Sequence, residues 1–193
     1  MSLREQKKEL AKVAIQQAAL RLFAGQGYAR TTVEQIAAEA NVSPSTFFRY
    51  FTTKEAVVLY DSLDPLIMAA FENQPADVSV IRALRNAMKE IFENLPPEKK
   101  TLEQERNNIL RKVPEVRAKM LDEMVRSTEM LAELIAARLH RSADELAIRN
   151  LAGAIIGVGL AALARANDRE PTSNSVATFD ESLAELERGL LDA

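Results

Sequence analysis

Apolar residues in this chain recur at three- and four-residue spacing almost from end to end, and nowhere do they alternate. Ile15, Ala18, Ala19, Leu22 and Phe23 stand at i, i+3, i+4, i+7 and i+8. Ile81, Leu84, Met88, Ile91 and Leu95 form a second stripe of this kind, and Met120, Met124, Leu131 and Ile135 lie on one side of a third. Such spacing gathers side chains on one face of an α-helix, whereas a half-buried strand needs a period of two. The chain therefore reads as all-α, with no internal repeat and no low-complexity tract.

Punctuation residues divide the pattern into elements. Gly25 and Gly27 end the first helix. Thr31 with Glu34 fits a capping box opening a short second helix, whose Val33, Ile36, Ala37 and Ala40 face inward. Asn41 suits a left-handed stop. Ser43 can cap a third helix over about Pro44–Tyr50, with Pro44 at the first position, where no N–H is missed. Thr52 or Thr53 caps a fourth helix from Lys54, and Asp64-Pro65 forces a kink or a stop and restart in it. Pro96-Pro97 closes the helix of the second stripe. A less regular helix follows over about Lys100–Lys112, and a long one runs from Pro114 to His140. Ser142 and Glu145 form another capping box, opening a helix to about Ala166. A polar loop at 167–175 precedes a last helix carrying Phe179, Leu183, Leu186 and Leu190.

Between Arg149 and Arg165 no residue is charged. Those fifteen residues fall short of the ~20 that span a bilayer, so no membrane partner is expected. A helix apolar almost all round must be covered on more than one face. Gly153, Gly157 and Gly159 let another helix approach closely. Either this is an internal core helix or, as favoured here, it pairs with its own copy. The expected dimer contacts are Gly153, Ile156, Gly157 and Leu160, with Phe179, Leu183 and Leu186 from the last helix.

Charge is segregated. The 193-residue chain carries a formal charge of −3, yet residues 1–56 hold eight basic and five acidic side chains. The remaining 17 basic and 23 acidic residues make the rest acidic. A basic end on an acidic body suits a polyanionic partner. With no cysteine, the chain excludes thiol nucleophiles, disulfide scaffolds and Cys-based zinc sites. His140 is the single histidine, placed as a surface or helix-end residue. With no Gly-rich phosphate loop either, the chain does not read as an enzyme, and neither metal nor cofactor is expected. The polar start MSLREQKKEL is unlike a signal peptide, so a soluble cytoplasmic protein is expected.

A short helix, a tight turn through Asn41-Val42-Ser43 and a second short helix make a helix-turn-helix. Its second helix suits the ~12 Å major groove of DNA. At its front Ser43, Pro44, Ser45 and Thr46 are small, as close approach to base edges requires, while Phe47 and Phe51 anchor it from behind. The string Thr31-Thr32…Ile36-Ala37…Val42-Ser43…Thr46-Phe47-Phe48-Arg49-Tyr50-Phe51…Lys54-Glu55, preceded by Leu22-Phe23-Ala24…Gly27-Tyr28, resembles the DNA-binding region of the TetR family of bacterial transcriptional regulators. The resemblance implies an N-terminal three-helix helix-turn-helix domain over 1–53 and a C-terminal helical effector-binding and dimerisation domain over 54–193. It places Thr32, Thr46, Tyr50 and Lys54 at phosphate contacts, and Pro44, Ser45, Phe48 and Arg49 against bases or adjacent backbone. Arg49 is the candidate for guanine, since its fork matches O6 and N7, with a phosphate contact as its alternative. Phe48 stands where many members have tyrosine, which leaves packing on a thymine methyl.

The Thr-Phe-Phe-Arg-Tyr-Phe block, with Leu95-Pro96-Pro97-Glu98 and Glu115-Val116-Arg117, resembles a subgroup that senses acyl-CoA-like or other hydrophobic ligands. Candidate ligand residues are Phe92, Ile109, Leu110, Val113, Met120, Met124, Leu131 and Ile156, with Arg106, Arg111 and Arg117 near the mouth for an anionic head group. The alternative is plain core for the apolar set and a solvated face for the arginines. The expected function is a homodimeric repressor on a palindromic operator, released by a small hydrophobic effector. A hydrophobic-ligand carrier with a vestigial helix-turn-helix is the competing expectation.

Overall fold

The computed structural model describes residues 2–165 and 175–189. All regular structure among them is α-helical: α1 (Leu3–Gln26), α2 (Val33–Glu39), α3 (Pro44–Tyr50), α4 (Lys54–Leu59), α5 (Asp64–Glu72), α6 (Val80–Glu93), α7 (Pro97–Lys112), α8 (Pro114–Leu139), α9 (Leu146–Arg165) and α10 (Ser175–Arg188). The loop expected at 167–175 lies outside the described residues apart from the start of α10, as does Leu190 of the last stripe.

Most boundaries follow the punctuation. Gly27 ends α1 at φ 88°, and Asn41 takes the left-handed conformation at φ 54°. Ser43 caps α3, its Oγ accepting from Thr46 N, with Pro44 in the first turn. Thr53 does the same for α4 through Ala56 N. The Asp64-Pro65 dipeptide produces a stop and restart: α4 ends at Leu59 and α5 begins at Asp64. Three boundaries differ from expectation, the first being α7, which starts at Pro97 and not near Lys100. The capping residue of α2 is Thr32, which exchanges bonds with Gln35, while Thr31 is buried and donates to Gly27 O at 2.9 Å. Glu145 does accept from Ser142 N at 3.0 Å, but α9 proper starts only at Leu146.

By packing, the chain forms two compact units, Met1–Ser62 with Pro96–Met120, and Leu63–Leu95 with Leu121–Ala193. The expected division between residues 53 and 54 is not where packing separates the chain, since α4, α7 and the first turns of α8 belong with the helix-turn-helix. Charge follows the packing more closely than it follows the sequence. The first unit holds 15 basic and 10 acidic residues and the second 10 and 18, net +5 against −8.

In the first unit α1 packs on α2, α3, α4 and α7. Ile15, Ala18, Ala19, Leu20, Phe23, Ile36, Phe47, Val57 and Val58 form its interior, each large side chain contributing about 1.5–3 kcal/mol of burial. The short α4 poses a particular problem, because the last four carbonyls of a helix have no partner within it. Two long polar side chains solve it. Gln16 of α1, 1% exposed, donates Nε2 to Val57 O at 3.1 Å and also to Tyr60 O. Arg106 of α7, 8% exposed, donates Nε to Val58 O at 2.9 Å and Nη2 to Leu59 O at 3.5 Å. Arg106 also pairs with Asp61 at 2.9 Å and Glu103 at 3.3 Å.

The second unit is built on Phe71, Ala83, Leu84, Ala87, Met88, Ile135, Ile148, Ala152, Ile155 and Leu183. α10 packs on α9 and α6, and Arg85 of α6 fastens it by ion pairs with Asp180 at 2.7 Å and Glu187 at 3.4 Å.

Candidate nucleic-acid interface

α2 and α3 are joined by a turn in which Asn41 N donates to Ala38 O at 3.0 Å and Val42 N to Ala37 O at 2.9 Å. α3 is held from behind by Phe47, whose ring meets Phe51 at 6.0 Å between centroids, while Phe51 meets Tyr60 at 5.6 Å. Phe47 is fully buried, so the opposite face of α3 has a fixed orientation. At the start of α3 the Ser43 hydroxyl gathers two others: its Oγ lies 2.8 Å from Ser45 Oγ and 2.9 Å from Thr46 Oγ1. Ser43, Pro44 and Ser45 are exposed and Thr46 is half-buried.

Two larger side chains extend this front. Phe48 is 52% exposed, its ring set edge-on to Phe47. No core position demands an aromatic there, and an exposed plate beside hydroxyls suits a thymine methyl. Arg49 is exposed and its guanidinium stacks 5.1 Å over the Tyr50 ring. The stack leaves its five donors free of any ion pair and limits the rotamer entropy lost on binding.

Thr32 and Lys54 come close together along one edge. Thr32 is exposed at the start of α2, where Gln35 Oε1 accepts from its N–H at 2.9 Å. Gln26 Nε2 supports Gln35 Oε1 at 2.9 Å and Thr31 Oγ1 at 3.1 Å. Lys54 has an internal role besides any phosphate contact. Its Nζ donates to Tyr28 O at 2.8 Å and Thr31 O at 3.0 Å and lies 4.1 Å over the Tyr28 ring. Partial burial lowers the Lys54 pKa, opposed by the Glu55 and Glu115 charges. The ammonium therefore fixes the α1–α2 turn that presents Thr32.

Glu55 is the hub of the adjoining cluster. It accepts from Tyr28 Oη at 2.7 Å and from Lys119 Nζ at 2.8 Å, and Lys119 also reaches Thr53 Oγ1 at 3.2 Å. Burial favours the protonated carboxyl, but the bonds from Lys119, Tyr28 and Thr53 outweigh it and bring the pKa down to about 2. The Tyr28 phenol is correspondingly pushed up by burial and by its bond to that carboxylate. A carboxyl depressed in the folded state stabilises it above its ordinary pKa and ceases to do so as pH falls through the folded value. Glu55→Gln should therefore lower stability at pH 7, with the deficit shrinking between about pH 4.5 and 2. Urea titrations at stepped pH, followed by tyrosine emission, check this. Tyr28 and Glu55 stand in the string that carries the family resemblance, but their pairing, and the parts played by Gln26, Gln35 and Lys119, had no sequence signal, since they depend on partners as far as 66 residues away.

The expected ligand residues divide between the units. Arg106, Ile109, Leu110, Val113, Arg117 and Met120 lie in the first, and Phe92, Met124, Leu131 and Ile156 in the second. Ile109 and Leu110 are buried. Arg106 is engaged with α4 and two carboxylates, a correction to its expected place at a cavity mouth. Arg111 donates Nη2 to Asn108 Oδ1 at 2.9 Å, and Arg117 donates Nη1 to Arg111 O at 3.5 Å. In the second unit an open groove of about 240 Å³ is lined by Val125, Thr128, Glu129 and Ala132 of α8 and Arg149 of α9, none of them in the expected set.

Of the expected dimer contacts, Leu183 is fully buried in the unit's own core and so packs internally. Ile156, Phe179 and Leu186 are half-buried. Gly153, Gly157 and Leu160 are exposed, and a Cβ built at either glycine would meet nothing within 4 Å. They belong to one side of α9, together with Leu146, Ala154, Ala161 and Ala164, all exposed. The other side packs Ile148, Ala152 and Ile155 into the core. α9 is long and apolar enough to cross a membrane by length and composition.

A helix-turn-helix with a small, hydroxylated front, a stacked arginine and a basic surround is the apparatus of a protein that reads duplex DNA. The profile of bacterial regulatory proteins of the tetR family matches residues 15–60, and that of the MftR C-terminal domain matches residues 78–191, more than half the chain. The chain belongs to the TetR family of bacterial transcriptional regulators. It is 39% identical to the transcriptional regulator TcmR of Streptomyces glaucescens over 92 residues, which span 47% of this chain and 41% of TcmR. It is 26% identical over 151 residues to the putative mycofactocin biosynthesis transcriptional regulator MftR of Mycobacterium tuberculosis, covering 77% and 75% of the two chains. Its fold is similar to that of Thermus thermophilus FadR, a TetR-family repressor solved with lauroyl-CoA. The TM-score is 0.56, with 24% identity over 94% of this chain and 96% of that one. The chain is thus a DNA-binding transcriptional regulator.

Proposed function

We propose that the protein is a homodimeric repressor that binds a palindromic operator and is released by a small hydrophobic ligand of the acyl-CoA type. The observation that carries the dimer is the outward side of α9. An α-helix of 20 residues presents Leu146, Gly153, Ala154, Gly157, Leu160 and Ala161 without a charge among them. A second copy of the same surface covers it, since small residues let two helices approach closely and a twofold interface is self-complementary. A twofold pair presents two α3 helices, so the operator is palindromic with half-sites about one DNA turn or somewhat more apart.

DNA recognition is divided by chemistry. Thr32, Thr46, Tyr50 and Lys54 set the register on phosphates, and Ser45, Phe48 and Arg49 meet base edges, with Ser43 and Pro44 shaping the approach. The acyl-CoA reading rests on the subgroup resemblance, and the lauroyl-CoA bound by the fold's FadR neighbour agrees with it. Ligand acts only through unequal affinity for the DNA-competent and incompetent states. The break between α4 and α5, with Pro65 in the first turn of α5, is the place where the chain accommodates that change.

Lauroyl-CoA titrated into a preformed protein–operator complex is expected to release the labelled duplex. Coenzyme A alone leaves it bound. Retention of the duplex with every acyl-chain length tested would sink the acyl-CoA reading and leave the DNA-binding one standing.

A further inference from the structure

The residues proposed to read DNA all lie between Thr32 and Lys54, yet the basic character of the first unit is not confined there. Its separate segment Pro96–Met120 contributes seven basic and four acidic residues. From Arg111 to Met120 the only acid is Glu115, against Arg111, Lys112, Arg117 and Lys119. Lys112, Arg117 and Lys119 are exposed.

One of them is tied to the reading edge. Lys119 Nζ lies 3.2 Å from Thr53 Oγ1, on the residue preceding Lys54, and 2.8 Å from Glu55 Oε2. On the other side of Glu55, Tyr28 Oη donates at 2.7 Å, and the Tyr28 carbonyl and ring hold the Lys54 ammonium. Two ammonium groups thus flank the Tyr28–Glu55 pair, one from α4 and one from α8. Lys54 also reaches the carbonyl of Thr31, next to Thr32. Thr32, Lys54 and Lys119 therefore lie along one edge. The Lys119 side chain remains 47% exposed, and an ammonium carries three donors.

We propose that the corner between α7 and α8 is part of the DNA interface, with Lys119 its inner phosphate contact and Lys112 and Arg117 the outer ones. A phosphate beside Thr32 and Lys54 draws the half-exposed Lys119 ammonium toward it, and Glu55 keeps the Tyr28 and Thr53 donors. The footprint then extends beyond the helix-turn-helix onto a helix of the effector half of the sequence. The corner adds affinity without sequence preference, as backbone contacts do. This inference rests on the family's DNA binding.

The test uses the full chain and fluorescence anisotropy of a selected operator and a scrambled duplex, each over a series of KCl concentrations. Every phosphate neutralised contributes ~0.9 to the slope of log affinity against log salt. Lys119→Ala should weaken both duplexes by the same factor and flatten the slope by ~0.9 per protomer, and Lys119→Arg should restore it. The double variant Lys112→Ala, Arg117→Ala should flatten it further without touching the Glu55 cluster. Lys7→Ala, Lys8→Ala should leave it unchanged, those residues lying ~28 Å along α1 from its Gln26 end. The inference is overturned if Lys119→Ala and the double variant both keep the wild-type slope, even at reduced affinity, since Lys119 would then act only by holding Glu55. A wild-type protein whose affinity ignores salt would instead remove the DNA-binding reading on which the inference stands.

Discussion

Arg106→Met is expected to destabilise the DNA-binding unit by about 3–5 kcal/mol, the usual cost of removing one partner from a buried ion pair. Methionine keeps most of the volume but strands four groups at once. Val58 O and Leu59 O lose their donors, and Asp61 and Glu103 lose the cation between them. Burial already pushes the Glu103 carboxyl up, with the Arg106 charge opposing it and Asp61 reinforcing it. Removing the guanidinium should therefore push the Glu103 carboxyl further up, and adding Glu103→Gln should recover part of the loss. The chain offers a selective probe: it has no tryptophan, and its three tyrosines are Tyr28, Tyr50 and Tyr60, all in the first unit. Urea unfolding followed by tyrosine emission therefore reports that unit. A midpoint within experimental error of wild type would mean that the α4 carbonyls need no side-chain donors.

Gly157→Glu is expected to abolish the dimer and, with it, at least 100-fold of operator affinity, about 2.7 kcal/mol or more. A Cβ at Gly157 meets nothing within 4 Å in its own chain, so the isolated fold tolerates the side chain. Between two copies of α9 the same carboxylate is buried close to its twin, where an unpaired charge costs several kcal/mol. Each monomer would then hold one half-site alone. Sedimentation equilibrium should show a dimer for wild type and a monomer for the variant, with unchanged helical content. If the variant stays dimeric and binds operator normally, the exposed side of α9 is not the interface.

How much of this was legible in the sequence depended on the range of the interactions. Ser43, Pro44, Asn41 and the Phe47/Phe51 pair act within one turn of where they stand, and sequence spacing located them. The stop and restart at Asp64-Pro65 was legible for the same reason. Thr31 and Thr32 show the limit of a local rule: both fit a cap, and the choice between them is made by Gly27 and Gln26, which draw Thr31 inward. The role of Arg106 was not legible at all. An arginine on a polar helix looks solvated until α4, 47 or 48 residues earlier in the chain, brings its open carbonyls alongside. Lys54 is intermediate: the resemblance implies a phosphate contact there, and its internal role is one that only Tyr28 and Thr31 reveal.

On the proposed function this chain reads a specific palindrome on duplex DNA. Selection of binding duplexes from a random pool, followed by anisotropy on the enriched sequence at several salt concentrations, tests it directly. The expected result is an enriched inverted repeat bound as a dimer, with affinity falling steeply as salt rises. Weak binding with no enriched sequence, in protein freed of bound ligand, would contradict it and favour a hydrophobic-ligand carrier whose helix-turn-helix no longer reads DNA.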